Sequence, residues 1–163
     1  MKRHTLTKLL VRRMAGLAIA CGTALSAGAA ETSGADRFEL VPDTTITIRS
    51  SGTNLEFLPS RISAKHGTRV TVRYVNEGTL PHNFVVVRNE NDIDTLGRAA
   101  FEARDTEYVP LQHEALMIAH SALAAPGETV EVSFVMPPPG EYFFVCLYSG
   151  HYNMMVGTLR SLN

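Results

Sequence analysis

Near the end of the chain a thiol, an imidazole and a thioether follow one another: Cys146, His151 and Met155, in the order Cys-x4-His-x3-Met. Thiolate and thioether are soft ligands and imidazole is borderline. Two imidazoles and one thiolate with a weak thioether suit copper. The loop holds only one of the two imidazoles. A second is available upstream, in Leu80-Pro81-His82-Asn83-Phe84. The candidate metal ligands are therefore His82, Cys146, His151 and Met155, and the implied cofactor is one copper ion per chain. Zinc is the competing metal. A zinc knuckle needs several cysteines, and a zinc site of one Cys and two His would leave Met155 without a role.

The cysteine count supports a ligand role. The chain has 163 residues and two cysteines. Cys21 falls in a leader-like stretch, residues 1–30. There Lys2, Arg3, Lys8, Arg12 and Arg13 precede an apolar run from Met14 to Leu25, and Ala27-Gly28-Ala29 or Gly28-Ala29-Ala30 offers a small-residue cleavage site. The run is shorter than the roughly 20 residues a spanning helix takes. Residues 1–30 thus read as a signal peptide and 31–163 as the mature domain, exported to the periplasm or secreted. Lipid anchoring through Cys21 is the alternative, with looser flanks. After cleavage Cys146 is the sole cysteine. Exported proteins ordinarily pair their thiols, so an odd one calls for another use, and metal ligation supplies it.

Composition excludes one class of partner. Residues 1–30 hold five basic residues and no acids, which leaves 10 Lys+Arg against 16 Asp+Glu and a formal charge of −6 for the remainder. That disfavours nucleic acid. It permits a basic protein partner.

The elements that must position the ligands are short strands. Ile46 and Ile48 alternate with polar neighbours over about 44–50, and Val70, Val72 and Tyr74 alternate in another run. Leu55 to Ala64 reads as a strand interrupted at Pro59. Asn83 to Val87 is more continuously apolar, as a buried strand is. Between about 91 and 122 the pattern turns partly helical: Asn91-Asp92 marks a start, Ile93, Leu96 and Phe101 recur at helical spacing, and Leu111 to Ala119 reads as one or two further turns. Val130, Val132 and Phe134 alternate again. Glu141 to Cys146 and Val156 to Leu162 are the last strands. Seven or eight short strands with regular turns imply an all-β, Greek-key β-sandwich with a partly helical insertion.

These motifs together resemble the cupredoxins, the type 1 blue copper proteins, and within them the azurin and auracyanin group. The resemblance rests on Pro81-His82-Asn83-Phe84, on Gly140-Glu141-Tyr142-Phe143-Phe144-Val145-Cys146, and on the Cys-x4-His-x3-Met loop closed by Gly157-Thr158-Leu159. It covers about residues 40–163. It implies that His82, Cys146 and His151 are equatorial ligands, that Met155 rather than Met154 is the weak axial one, and that Asn83 ties the His82 strand to the Cys146 loop. The chain departs from azurins at Pro81, where they carry Gly; the Pro-His-Asn sequence is plastocyanin-like. It also departs at Leu147, where they carry a hydroxyl residue, so any bond from this position to Asn83 must come from the backbone. His66, His113 and His120 are not expected among the ligands, and Met117 and Met136 are expected to pack.

The resemblance implies a monomeric, non-enzymatic electron carrier that cycles between Cu(I) and Cu(II) and meets its redox partner proteins transiently through the surface near His151. A copper-binding or storage protein without redox work is the alternative; it would favour Met and His clusters beyond the loop. A copper enzyme domain is a further one; it would favour a His-x-His pair, and none occurs.

Overall fold

The computed structural model describes residues 43–163; the signal-peptide reading of residues 1–30 lies outside them. Two sheets face each other. One has three strands in the order β1-β3-β6, formed by β1 (Asp43–Gly52), β3 (Arg69–Gly78) and β6 (Thr129–Val135). The other has five in the order β2-β8-β7-β4-β5, formed by β2 (Arg61–Lys65), β8 (Val156–Leu162), β7 (Gly140–Val145), β4 (Val85–Val87) and β5 (Met117–His120). β1 runs parallel to β3, and β2 parallel to β8; the remaining ladders are antiparallel. The single α-helix among the described residues, α1 (Asp92–Ala100), lies in the excursion between β4 and β5. This is the expected sandwich with its partly helical insertion.

Period-two alternation explains the first sheet. β3 buries Val70, Val72, Tyr74 and Asn76 and turns Arg69, Arg73 and Glu77 outward. The core between the sheets is aromatic at its centre. Phe57 meets Tyr74, Phe84 and Phe144 edge-on at 5.7, 5.5 and 5.2 Å, and Phe84 stacks on Phe144 at 4.9 Å. Such pairs add about 0.5–1.5 kcal/mol each beyond the area they bury. β4 is buried along its whole length because β5 and β7 flank it and both faces are covered. A second cluster, with Ile93, Leu96 and Ala100 from α1 against Val85, Val87, Val145, Leu147 and Tyr152, fixes the insertion to the outer face of the five-stranded sheet.

Two expectations need correction. Leu55–Ala64 is not one strand: only Arg61–Lys65 pairs with β8, and Leu58 makes an isolated bridge to Arg49. Pro59, lacking an N–H, separates the two. In the insertion, Leu111–Leu116 is a short 3-10 segment with a kink at His113, but Met117–His120 is a strand rather than a further helical turn. Met117 and Ala119 find backbone partners in Val87 and Val86, which outweighs local propensity.

Candidate metal centre

Three of the four predicted ligands converge. His82 lies just before β4, where its backbone exchanges both hydrogen bonds with Ala124, N–H to O at 3.1 Å and O from N–H at 2.8 Å. Cys146 follows β7 directly, and its N–H bonds the Met155 carbonyl at 3.0 Å, which closes the ligand loop at its base. His151 sits on the 3-10 segment Tyr148–Asn153, held by its own carbonyl to the amides of Met154 and Met155 at 2.9 and 2.8 Å. Ser149 and Gly150, with φ of 30° and 85°, turn that segment so that His151 points back inward. α1 supports it from outside. Gly97 faces the ring of Tyr152, and a Cβ there would overlap the ring.

The donor atoms form a tight triangle. Cys146 Sγ is 3.6 Å from His82 Nδ1 and 3.6 Å from His151 Nδ1, and the two nitrogens are 3.2 Å apart. Among the described residues this is the only group of three or more His, Cys, Asp or Glu placed to hold a metal. One ion bonded at roughly 2.0–2.1 Å to nitrogen and about 2.3 Å to sulfur, the lengths typical of zinc, leaves edges of this size. His82 is 1% and His151 7% exposed, and Cys146 is fully buried.

The electrostatics prepare the same residues for a cation. Burial, and then the neighbouring His151, lowers the His82 imidazole to about 4; burial lowers His151 as well. Both rings are therefore neutral near pH 7, with a lone pair to offer. Burial pushes the Cys146 thiol up to about 12, while hydrogen bonds from the backbone of Asn83 and Tyr148 pull the other way. A cation at the triangle's centre reverses the burial penalty and favours the thiolate. The donor set fits copper.

Met155 is fully buried and packs in the same core cluster as Cys146, whereas Met154 is 65% exposed. The neighbours of the triangle hold it. Asn83, fully buried, accepts the Leu147 N–H on Oδ1 at 2.8 Å and so joins the His82 segment to the Cys146 loop through the backbone, as expected. Tyr74 lies edge-on to His82 at 6.4 Å, its hydroxyl 2.6 Å from Ser50 Oγ.

The other histidines are elsewhere. His120 is exposed at the end of β5, and His113 sits in the 3-10 segment Leu111–Leu116. His66 is exposed, as read from the sequence, and its Nδ1 also lies 2.9 Å from the Pro137 carbonyl and 3.2 Å from that of Met136, at the proline corner. Met117 and Met136 are core residues. Sequence reasoning missed Glu107 and Tyr108. No motif marks them; their contacts to Asn83 and Tyr148 arise only from the path of the insertion.

Comparison with known proteins agrees with this geometry. The family model described as copper binding proteins, plastocyanin/azurin family, matches residues 44–161. Auracyanin-A of Chloroflexus aurantiacus is 35% identical over 118 residues, which cover 71% of this chain and 72% of that protein. Auracyanin-B of the same organism is 32% identical over 122 residues, 72% of this chain but only 52% of that longer protein. The solved structure of auracyanin A, described as a "blue" copper protein, superposes with a TM-score of 0.70 at 33% identity and covers 74% of this chain and 99% of that one.

Proposed function

The chain belongs to the plastocyanin/azurin family of copper-binding proteins, and we infer that His82, Cys146 and His151 hold its copper equatorially, with Met155 as the weak axial donor. The protein is a blue copper electron-transfer protein. Bound copper supplies a one-electron Cu(I)/Cu(II) couple. The triangle of Cys146 Sγ and the two Nδ1 atoms carries the assignment of the three equatorial residues. Met155 rests on its burial beside Cys146 and on the exposure of its rival Met154.

The chain's own residues do three things for transfer. They exclude water: every proposed ligand is buried. They fix the donors on hydrogen-bonded frames, namely the His82–Ala124 bridge, the Cys146–Met155 bond and the Asn83–Leu147 bond. A ligand frame that stays put in both oxidation states lowers the reorganisation that transfer requires. They also place one ligand near the surface. His151 is the more exposed of the two imidazoles, and Leu80 and Met154 are 39% and 65% exposed apolar side chains. Electrons leave through His151, and this apolar surface meets partner proteins in brief, weak encounters.

The protein works as a monomeric carrier rather than an enzyme, in the periplasm or outside the cell, with residues 1–30 as its signal peptide. The basic and apolar composition of that stretch supports this. Among the described residues no helix is long and apolar enough to cross a membrane. The visible spectrum and cyclic voltammogram of the copper-loaded chain test the function directly. An intense red-region band with a reversible one-electron wave is expected; a colourless Cu(II) protein overturns the assignment. Mass spectrometry of the exported protein tests the leader, with a start near Ala30 or Glu31 expected and a lipid-modified Cys21 as the contrary result.

A further inference from the structure

The insertion reaches the metal centre through two consecutive residues. Glu107 and Tyr108 both lie in the left-handed region, with φ of 55° and 65°. Side-chain-bearing residues enter that region at some cost and usually singly, so surrounding structure must hold two in a row there. Local turn bonds hold them in part, from the Glu107 N–H to the Arg104 carbonyl at 3.1 Å and from the Tyr108 N–H to the Ala103 carbonyl at 2.8 Å, and the site holds them from the other side. The Glu107 carbonyl accepts a hydrogen bond from Asn83 Nδ2 at 2.9 Å, and the other end of the same carboxamide accepts the Leu147 N–H at 2.8 Å. The Glu107 carboxylate accepts the N–H of Leu123 at 2.8 Å, beside the residue that bridges His82. The Tyr108 ring meets Tyr148 edge-on at 4.7 Å, and Tyr148 meets His151 edge-on at 5.1 Å. One dipeptide thus touches the segments that carry His82, Cys146 and His151.

We propose that Glu107-Tyr108 is a positioning clamp for the metal centre, fixing Asn83 through the Glu107 carbonyl and His151 through the Tyr108–Tyr148 ring pair. The reason is local. Leu147 has no hydroxyl with which to fasten Asn83, so the carboxamide bonded at Oδ1 alone would be free to swing. Leu147 is fully buried, and losing that acceptor would leave its N–H without a partner in the interior. The Glu107 carbonyl takes the second end of the carboxamide and removes the swing. The ring pair does the same for His151, whose segment bends at Ser149 and Gly150 and is held on its other side by α1 packing on Tyr152.

Paired variants in the full chain separate the clamp from mere folding. Glu107→Gly tolerates the left-handed backbone and Glu107→Val resists it, while both lose the carboxylate bond, so in the folded protein their difference reports on the backbone conformation that places the carbonyl. Tyr108→Phe keeps the ring and Tyr108→Leu removes it. In the metal-free protein, Leu147 amide exchange is expected to be about tenfold faster in Glu107→Val than in Glu107→Gly. With copper bound, Glu107→Val is expected to lose on the order of tenfold in copper affinity relative to Glu107→Gly, and Tyr108→Leu relative to Tyr108→Phe, each with a shift in reduction potential. Folded Glu107→Val and Tyr108→Leu with wild-type exchange, affinity and potential overturn the clamp. If Glu107→Val does not fold, the Tyr108 pair decides alone. The proposal rests on the copper assignment only for affinity and potential. A wild type that stays colourless would overturn that assignment, and the exchange comparison would still decide the clamp.

Discussion

The Nδ1 atoms of His82 and His151 stand 3.2 Å apart inside the protein, each 3.6 Å from the sulfur of Cys146. One shared cation serves all three donors at once. A metal that binds only the folded state stabilises it by mass action.

Cys146→Ser is expected to abolish the intense charge-transfer band. A hydroxyl does not supply the polarizable thiolate donor that gives the colour. Absorption between the visible and near infrared, read with copper content per chain, checks this. Retention of the full band by the Ser variant would mean that another sulfur bonds the metal.

Met155→Leu is expected to keep the colour and raise the reduction potential, because loss of a thioether donor disfavours Cu(II). Met154→Leu is expected to leave the potential nearly unchanged, since that side chain is 65% exposed. Voltammetry of both decides the register of the loop; exchanged effects would move the axial donor by one residue.

The metal-free chain is expected to lose stability on both sides of neutrality. On the acid side His82 is held at about 4 and His151 below its usual range, so between about pH 6.5 and 4 the unfolded chain binds protons that the folded chain refuses. Stability falls as pH drops through that window. On the alkaline side the buried thiol is held up to about 12, while the unfolded thiol ionises near 8.5, so stability falls again as pH rises above that value. Urea midpoints against pH measure both limbs. His82→Phe should flatten the acid limb and Cys146→Ala the alkaline one; unchanged limbs would refute the assignment.

His151→Gly is expected to accept exogenous imidazole and recover colour, and His82→Gly to do so poorly, because His82 is 1% exposed and His151 7%. Charged residues at Leu80 or Met154 are expected to slow transfer to the natural partner at unchanged colour and potential, acting on the encounter alone. Stopped-flow kinetics with that partner checks the surface. Wild-type rates in both variants would place the exit elsewhere.

Gly157→Ala is expected to destabilise the fold by about 1–3 kcal/mol or more. Gly157 pairs with Phe144 across β7 and β8, and a Cβ there would overlap the Phe144 ring and approach the Ser60 carbonyl to 2.7 Å. Thermal unfolding of the metal-free variant measures it. An unchanged midpoint would mean that the aromatic core has slack.

The chemistry of the centre was legible in the chain because ligand type is local. Three of the donors lie within one ten-residue loop after a strand, and Cys146 is the sole cysteine of residues 31–163. Period-two alternation made β1, β3 and β6 legible for the same reason: each residue's face follows from its parity. What the sequence could not decide depended on partners distant along the chain. Met117–His120 reads as helical until β4 offers it a ladder. His66 is exposed as read, but its bond to the Pro137 carbonyl at 2.9 Å could not be read from its neighbours in the chain. Met154 and Met155 are equal as thioethers; the resemblance favoured Met155, and folding buries that one and exposes the other. Glu107 and Tyr108 carry no motif at all. Their role exists only because the insertion returns to the metal centre, where the backbone carbonyl of one and the ring of the other find Asn83 and Tyr148. Side-chain chemistry is written residue by residue, whereas the meeting of backbone groups far apart in sequence is fixed only when the two sheets close on a common core.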